Sequence, residues 1–382
     1  MNLTTPLIVT LFVLIGLIVW HYIGYPLFLT VVPWGRTSST EIESFPSVSI
    51  IIAAYNEEDV IEDRIQNCLS VDYPEDKLEI IVASDGSTDQ TVKRAQSIND
   101  PRVKVLDFEE NRGRASVHNR SCVHATGEII AFTDAETRYQ DDCLRELVQP
   151  FSDPDVGAVC GRLEVDDLGG DSIGEGMSIY WRWEYRMRRL QTEVGILTKM
   201  TGANMAMRSS LYTKLPDSID IDQAAGFLAV LDGMRCEYVP SAIGYERFPT
   251  SLAGELSTRK RLTTQSLTSI AAHSMVLNPL QLPKQALNTL SYWLPRYLMP
   301  FLLISVLVVS IVLSLLNSAF ILVLLPQLAF AICGVIGYVF EHYGLTVRPF
   351  SIVFSYCWAN LGVVLGVMDF ISGNRVDTYE PQ

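Results

Sequence analysis

Between Tyr297 and Phe340 the chain carries no charged residue. A hydrocarbon core of about 30 Å needs roughly 20 apolar residues per helical pass, so this stretch is long enough for two. Asn317-Ser318 is the expected turn between them. Phe350 to Met368 gives a third run. Near the other end, from Pro6 to Trp34, His21 is the only residue that can carry a charge. A cleaved signal peptide is the rival reading of that first run. It fits poorly, because MNLTT has no Lys or Arg, the run is too long, and no small-residue cleavage site follows. The segment KQALNTLSYWLPR, with Tyr292, Trp293 and Arg296, is expected to lie at the membrane interface. An ordinary surface helix is the alternative.

These runs divide the chain. Residues 1–43 are expected to form an N-terminal membrane helix and linker. Residues 44–283 form a charged block. Residues 284–382 hold the interface segment, about three membrane helices and a short tail. Arg36 and Lys284 favour a cytoplasmic block in a multi-pass protein of the cell membrane.

Composition narrows the function. The formal net charge is -14, which argues against a nucleic-acid partner. The seven cysteines form no CxxC pair, so neither a zinc site nor a disulfide framework is indicated, in keeping with a reducing compartment. The 43 acidic residues stand against 29 basic ones, of which only seven are lysine. That skew suits a halophile with a salt-rich cytoplasm. Activity measured against KCl tests this, and full activity and stability at low salt would reject it.

Within the block, Ser47 to Ala54 (SVSIIIAA) reads as a strand buried on both faces. Leu78 to Ala83 is a second strand, Val103 to Leu106 a third and Glu128 to Thr133 a fourth, with helical patterns between them. Alternation of this kind predicts an α/β fold with a mostly parallel sheet. Its ligand site lies beyond the carboxyl ends of the strands. Asp85 and the pair Asp134/Glu136 both fall there. In extended chain, residues i and i+2 point the same way, so Asp134 and Glu136 can share a hard cation, Mg²⁺ or Mn²⁺, with diphosphate oxygens completing its shell. A solvated acidic turn is the bland alternative. Asp85 is either a base or ribose contact or a local cap, and Asp89 a turn cap. Tyr55-Asn56-Glu57 ends the first strand and can line the same pocket. Asp220-Ile221-Asp222 precedes an amphipathic pattern that stops at Gly233, where helix capping is the simple reading. Arg259-Lys260-Arg261 sit in a helical stretch and can hold anionic lipid headgroups or neutralise a diphosphate.

Taken in order, SVSIIIAAYNEE, IIVASDGSTDQT, GEIIAFTDAET and the DID-to-Gly233 segment resemble the family 2 inverting glycosyltransferases of the A-type fold. More narrowly, the chain resembles their membrane-integrated members related to cellulose and hyaluronan synthases. The resemblance covers about Pro46 to Ile270. It implies a nucleotide-sugar-binding domain flanked by transmembrane helices. It also implies a nucleotide sugar donor, expected to be a UDP-sugar, and a lipid-linked or growing glycan acceptor among membrane lipids. By the same resemblance Tyr55 and Glu57 lie against the nucleoside, Asp85 contacts uracil or ribose, and Arg114 stands near the sugar diphosphate. Asp134 and Glu136 hold the metal, Gly202 walls the acceptor site, and Asp222 is the general base. Arg259 or Arg261 stabilises the departing nucleoside diphosphate. Three positions depart from the family pattern. Glu136 replaces an Asp, Ile221 precedes Asp222 where Glu is usual, and STRKRLTTQ stands where QxxRW is expected. The missing Trp places single transfer to a lipid-linked acceptor beside processive synthesis. The competing classes are a non-catalytic binding protein on the same fold, which would have broken acidic positions, and a transporter, whose membrane runs would carry charges.

Overall fold

The computed structural model describes residues 4–32, 44–165, 172–246 and 251–374. Trp34, Arg36 and the rest of the linker up to 43 lie outside the described residues.

The first helix, α1, runs Thr4–Val31. The block then alternates: β1 Val48–Ala54, α2 Ile61–Leu69, β2 Leu78–Asp85, α3 Thr91–Ser97, β3 Val103–Phe108, α4 Arg114–Cys122 and β4 Ile129–Asp134. These strands are parallel, in the order β3-β2-β1-β4. Their burial explains the unbroken apolar runs: Ile50, Ile51, Ile52, Ile80 and Ile81 have no exposed surface.

The sheet continues beyond the strands that the sequence marks. β5 (Arg138–Tyr139), α5 (Cys143–Val148), β6 (Val156–Val165), α6 (Ser172–Glu193), β7 (Met205–Arg208), α7 (Ile221–Leu231) and β8 (Arg235–Glu246) follow. The eight strands run β3-β2-β1-β4-β7-β6-β8-β5. β7 is antiparallel to both β4 and β6, and β5 to β8, while β6 and β8 are parallel. The sheet is therefore mixed and mostly parallel, with one half carrying the reversal. Two apolar clusters fill its faces, one extending to α6, α7 and the membrane-side helices.

After the block come α8 (Leu252–Ala272), α9 (Pro283–Leu316), α10 (Ser318–His342) and α11 (Phe350–Ser372). α1, α9, α10 and α11 are each long and apolar enough to cross a membrane. The chain breaks at Asn317, whose side chain accepts a hydrogen bond from Ala319 N at 3.0 Å, so the expected turn is present. α1 packs on α9 through Leu11, Val306 and Leu313, and Gln327 of α10 donates to Ser310 Oγ of α9 at 2.8 Å.

The start of α9 departs from expectation. Tyr292 and Trp293 do not lie on an open interface; they are 1% and 3% exposed, packed against the block. Tyr292 donates to Glu184 Oε2 at 3.0 Å, and Asn288 donates to Ile196 O at 2.7 Å. Tyr25 of α1 donates to the Asn288 carbonyl oxygen at 2.7 Å. The segment's polar residues serve protein partners, so this stretch is a docking joint between the apolar helices and the block.

Candidate active site

Parallel pairing sets the site. Ala53 is in register with both Ala83 and Asp134, and Ala54 with Ser84, so β1, β2 and β4 end at one level. Tyr55, Glu57, Asp85, Asp134 and Glu136 all emerge there and line one cavity of about 520 Å³. Arg114, Gly202, Asp222, Arg259 and Arg261 line the same cavity from α4, the stretch before β7, α7 and α8. All ten residues expected from sequence are therefore brought together.

The turn after β1 is held by its neighbour after β2. Asn56 adopts a left-handed φ of 55°. Its carbonyl oxygen accepts from Thr88 N at 2.8 Å, and Glu57 N donates to Thr91 Oγ1 at 2.8 Å. Asp89 accepts from Glu58 N and Thr91 N, the local capping role expected of it. Burial, with the charges of Glu136, Asp134 and Asp89, pushes the Glu57 carboxyl up to about 7.

Asp85 is 4% exposed. Its carboxylate accepts from Gly113 N at 2.7 Å, from Arg112 N at 3.1 Å and from Arg120 Nη2 at 2.7 Å. The Arg120 guanidinium lies 3.8 Å over the Phe108 ring. Asp85 thus fixes the loop that starts α4 while facing the cavity.

Arg114 begins α4 and bridges the acids. Its Nη2 is 3.0 Å from Asp134 Oδ1 and its Nε 3.5 Å from Asp220 Oδ2. Burial opposes its charge, but Asp134, Asp220, Asp222 and Glu246 together raise its pKa above the ordinary arginine value. Asp220 caps α7 by accepting from Ile221 N at Oδ1 at 2.8 Å, and His118 Nδ1 lies 3.2 Å from the same oxygen. Despite burial, Arg114 and His118 hold Asp220 well below the usual carboxylate range. Asp222, one half-turn on, is pushed the other way by burial and by Asp220. Adjacent acids in one helix start therefore differ in basicity, as when one is locked in an ion pair and the other is left reactive. Gln223 Nε2 donates to Asp222 Oδ2 at 3.1 Å. Gly202 makes the close approach possible: a Cβ there would stand 2.6 Å from Arg114 Nη2 and 3.1 Å from Asp222 Cβ.

The three consecutive cations of α8 separate by helical spacing. Arg259 and Arg261 face the cavity, whereas Lys260 pairs with Asp369 of α11 at 2.8 Å. Arg259 Nε also pairs with Glu255 Oε1 at 2.7 Å, and its guanidinium lies 4.2 Å over Tyr180.

Sequence reasoning missed several lining residues. Glu246 closes β8 beside the acidic end, and burial together with Asp134 and Glu136 raises its carboxyl to about 8. Tyr180, Trp181, Glu184 and Arg188 come from α6, and Lys199 from the loop after it. No motif marks them; the polar residues recurring along α6 were the available signal.

Asp134 and Glu136 are hard oxygen donors opening on the cavity, and Glu57 and Glu246 add two further carboxyl groups to its lining. Among the described residues no three His, Cys, Asp or Glu side chains converge into a complete metal cage. The donor set thus fits a divalent cation that takes two side chains here and further oxygens from a ligand.

Residues 49–215 match the family model described as glycosyl transferase family 2. The chain is 26% identical over 270 residues to poly-beta-1,6-N-acetyl-D-glucosamine synthase of Staphylococcus aureus, and 26% over 269 residues to the Staphylococcus epidermidis protein of the same name. Each alignment covers 67% of this chain and 62% of the relative, so the chain spans less than two thirds of these relatives' length. In fold it is similar to a mannosyltransferase from Pyrobaculum calidifontis, solved in complex with GDP-Man and Mn²⁺. The TM-score is 0.68 at 22% identity, covering 93% of this chain and 98% of that one.

Proposed function

This chain carries a family 2 glycosyltransferase domain on an A-type fold, and from that premise we propose that it transfers a sugar, with inversion, from a nucleotide sugar to a lipid-linked or growing glycan acceptor. The observation that carries this reading is the meeting of the pair Asp134 and Glu136, at the end of β4, with Asp222 of α7 in one cavity. UDP-sugars are the donor class that the family resemblance implies; GDP-sugars are the class to compare with them. The block between 44 and 283 is the cytoplasmic catalytic domain, with residues 1–43 and 284–382 holding it in the cell membrane. The large acidic excess is the surface of a protein adapted to high salt.

Tyr55 and Glu57 face the nucleoside, with Asp85 beside them. Asp134 and Glu136 would hold Mg²⁺ or Mn²⁺, which supplies positive charge to the diphosphate as it departs. Asp222 takes the proton of an acceptor hydroxyl. Its raised basicity suits that role, and Gln223 orients the receiving carboxylate. The acceptor oxygen then bonds to the anomeric carbon as the bond to the nucleoside diphosphate breaks on the opposite face. Arg114, Arg259 and Arg261 stand where the negative charge of the leaving group grows.

Calorimetry with Mn²⁺ and a panel of UDP- and GDP-sugars tests the proposal. One donor should bind in a metal-dependent way, and Asp134→Ala should remove that binding. Unchanged affinity in the variant would take Asp134 out of the metal site. Absence of metal-dependent binding across the panel would favour a non-catalytic protein on this fold.

A further inference from the structure

The cavity has two ends of opposite character. The end at the strand termini gathers Glu57, Asp134, Glu136 and Glu246. The other end, between α6 and α8, gathers Arg188, Lys199 and Arg259. Its arginines already have carboxylates. Glu255 serves Arg259 at 2.7 Å, and Glu184 is shared between Arg188 at 3.5 Å and Arg296 of α9 at 3.2 Å. Lys199 has none at ion-pair distance among the described residues. Its ammonium donates to Ser266 Oγ at 3.2 Å and lies 4.8 Å over the Trp293 ring. An ammonium withdrawn from water with its nearest carboxylates, Glu184 and Asp222, beyond ion-pair distance is only partly compensated, and an anion entering the cavity would complete that compensation. Burial and the charge of Arg296 hold the ammonium down to about 8, so it is still largely charged at neutral pH.

The position of this end selects the kind of anion. Within the candidate membrane span Pro283–Leu316, Trp293 and Arg296 stand just before the charge-free stretch from Tyr297, and Tyr180 and Trp181 line the same end. Aromatic rings and cations beside a charge-free apolar stretch suit a phosphate whose ester carries an apolar tail. The end also adjoins the candidate base: Asp222 accepts from Gln223, whose carbonyl oxygen accepts from Ser266 at 2.6 Å, and Ser266 in turn accepts from Lys199. We propose that this basic end is an anion subsite centred on Lys199, which holds the phosphate of a membrane-lipid-linked acceptor and so presents the acceptor to Asp222. The inference rests on the transferase reading above, since it assigns the acceptor class of the same cavity.

Binding of a polyprenyl phosphate and of the matching uncharged polyprenol to the purified full-length protein in detergent micelles tests it without requiring turnover. The phosphate should bind at least tenfold more tightly. Lys199→Ala should abolish that preference and Lys199→Arg should retain most of it, while Mn²⁺-dependent donor binding stays within about twofold in both. The preference should fall as pH rises through about 8, as the ammonium loses its proton. Equal binding of the two lipids, or an unchanged preference in Lys199→Ala, would overturn the proposal. Inorganic phosphate competing at the same concentration as the lipid phosphate would assign the subsite to a soluble anion and overturn the lipid assignment. Failure of the transferase reading shows separately, as absence of metal-dependent donor binding.

Discussion

Asp220 and Asp222 are two residues apart, yet their surroundings push their carboxyls in opposite directions. Asp220 is 1% exposed and is satisfied by Ile221 N, Arg114 and His118. Because its folded-state carboxyl is held below the unfolded value, its contribution to stability is present above the unfolded carboxylate pKa of roughly 4. That contribution is lost as pH falls through the folded value. Asp220→Ala leaves Arg114 short of a buried partner and should cost on the order of 3 kcal/mol, read by denaturant unfolding in detergent. A loss below about 1 kcal/mol would show that the ion pair is dispensable. Asp222 has the reverse sign, since burial and Asp220 raise its carboxyl and its ionisation as pH rises disfavours the fold. In sequence both were acids at a helix start. The distinction depends on Arg114 and His118, which approach from α4 roughly a hundred residues earlier and are fixed only by tertiary packing.

At the scale of elements, α8 carries Arg259 and Arg261 into the cavity, and α11 lies along its other side. Gly362 and Gly366 permit that approach: a Cβ at Gly362 would stand 2.6 Å from Arg259 Cβ, and one at Gly366 2.6 Å from Lys260 O. Trp358 Nε1 donates to Leu252 O at 2.8 Å, and Lys260 pairs with Asp369, so the contact is pinned at both ends. A helix long and apolar enough for the membrane thereby sets the position of arginines at the site. Gly362→Val should push α11 off α8, lowering stability by about 1–3 kcal/mol. It should also weaken nucleotide diphosphate binding several-fold, measured by calorimetry. Normal nucleotide affinity in a folded variant would show that α11 does not position Arg259. The sequence displayed both helices as separate periodic runs, but their contact was not legible. Small residues spaced four apart gain meaning only when a partner face is known. β6, β7 and α6 were equally hidden, because the antiparallel reversal at β7 follows no local signal.

For the whole molecule, charge-free runs and buried β-branched strands were strong enough in sequence to place four apolar helices around one α/β block. The strand-end rule also points to the cavity, since Asp85 and Asp134 end their strands and Glu136 follows two residues on. What remained hidden was the joint between the two parts. Tyr25, Asn288, Tyr292 and Glu184 tie α1 and α9 to the block through buried hydrogen bonds. Through that joint the basic end of the cavity comes to lie against α9, where Lys199 meets the Trp293 ring. The central claim is that this cavity moves a sugar with Asp222 as its base. The most direct measurement is nucleotide release and product formation by purified Asp222→Asn beside the unaltered protein, with Mn²⁺, the preferred nucleotide sugar and native membrane lipids. The account predicts that donor affinity and thermal stability are kept or slightly raised, while transfer falls at least a hundredfold. Transfer at the unaltered rate in a correctly folded Asp222→Asn would contradict it.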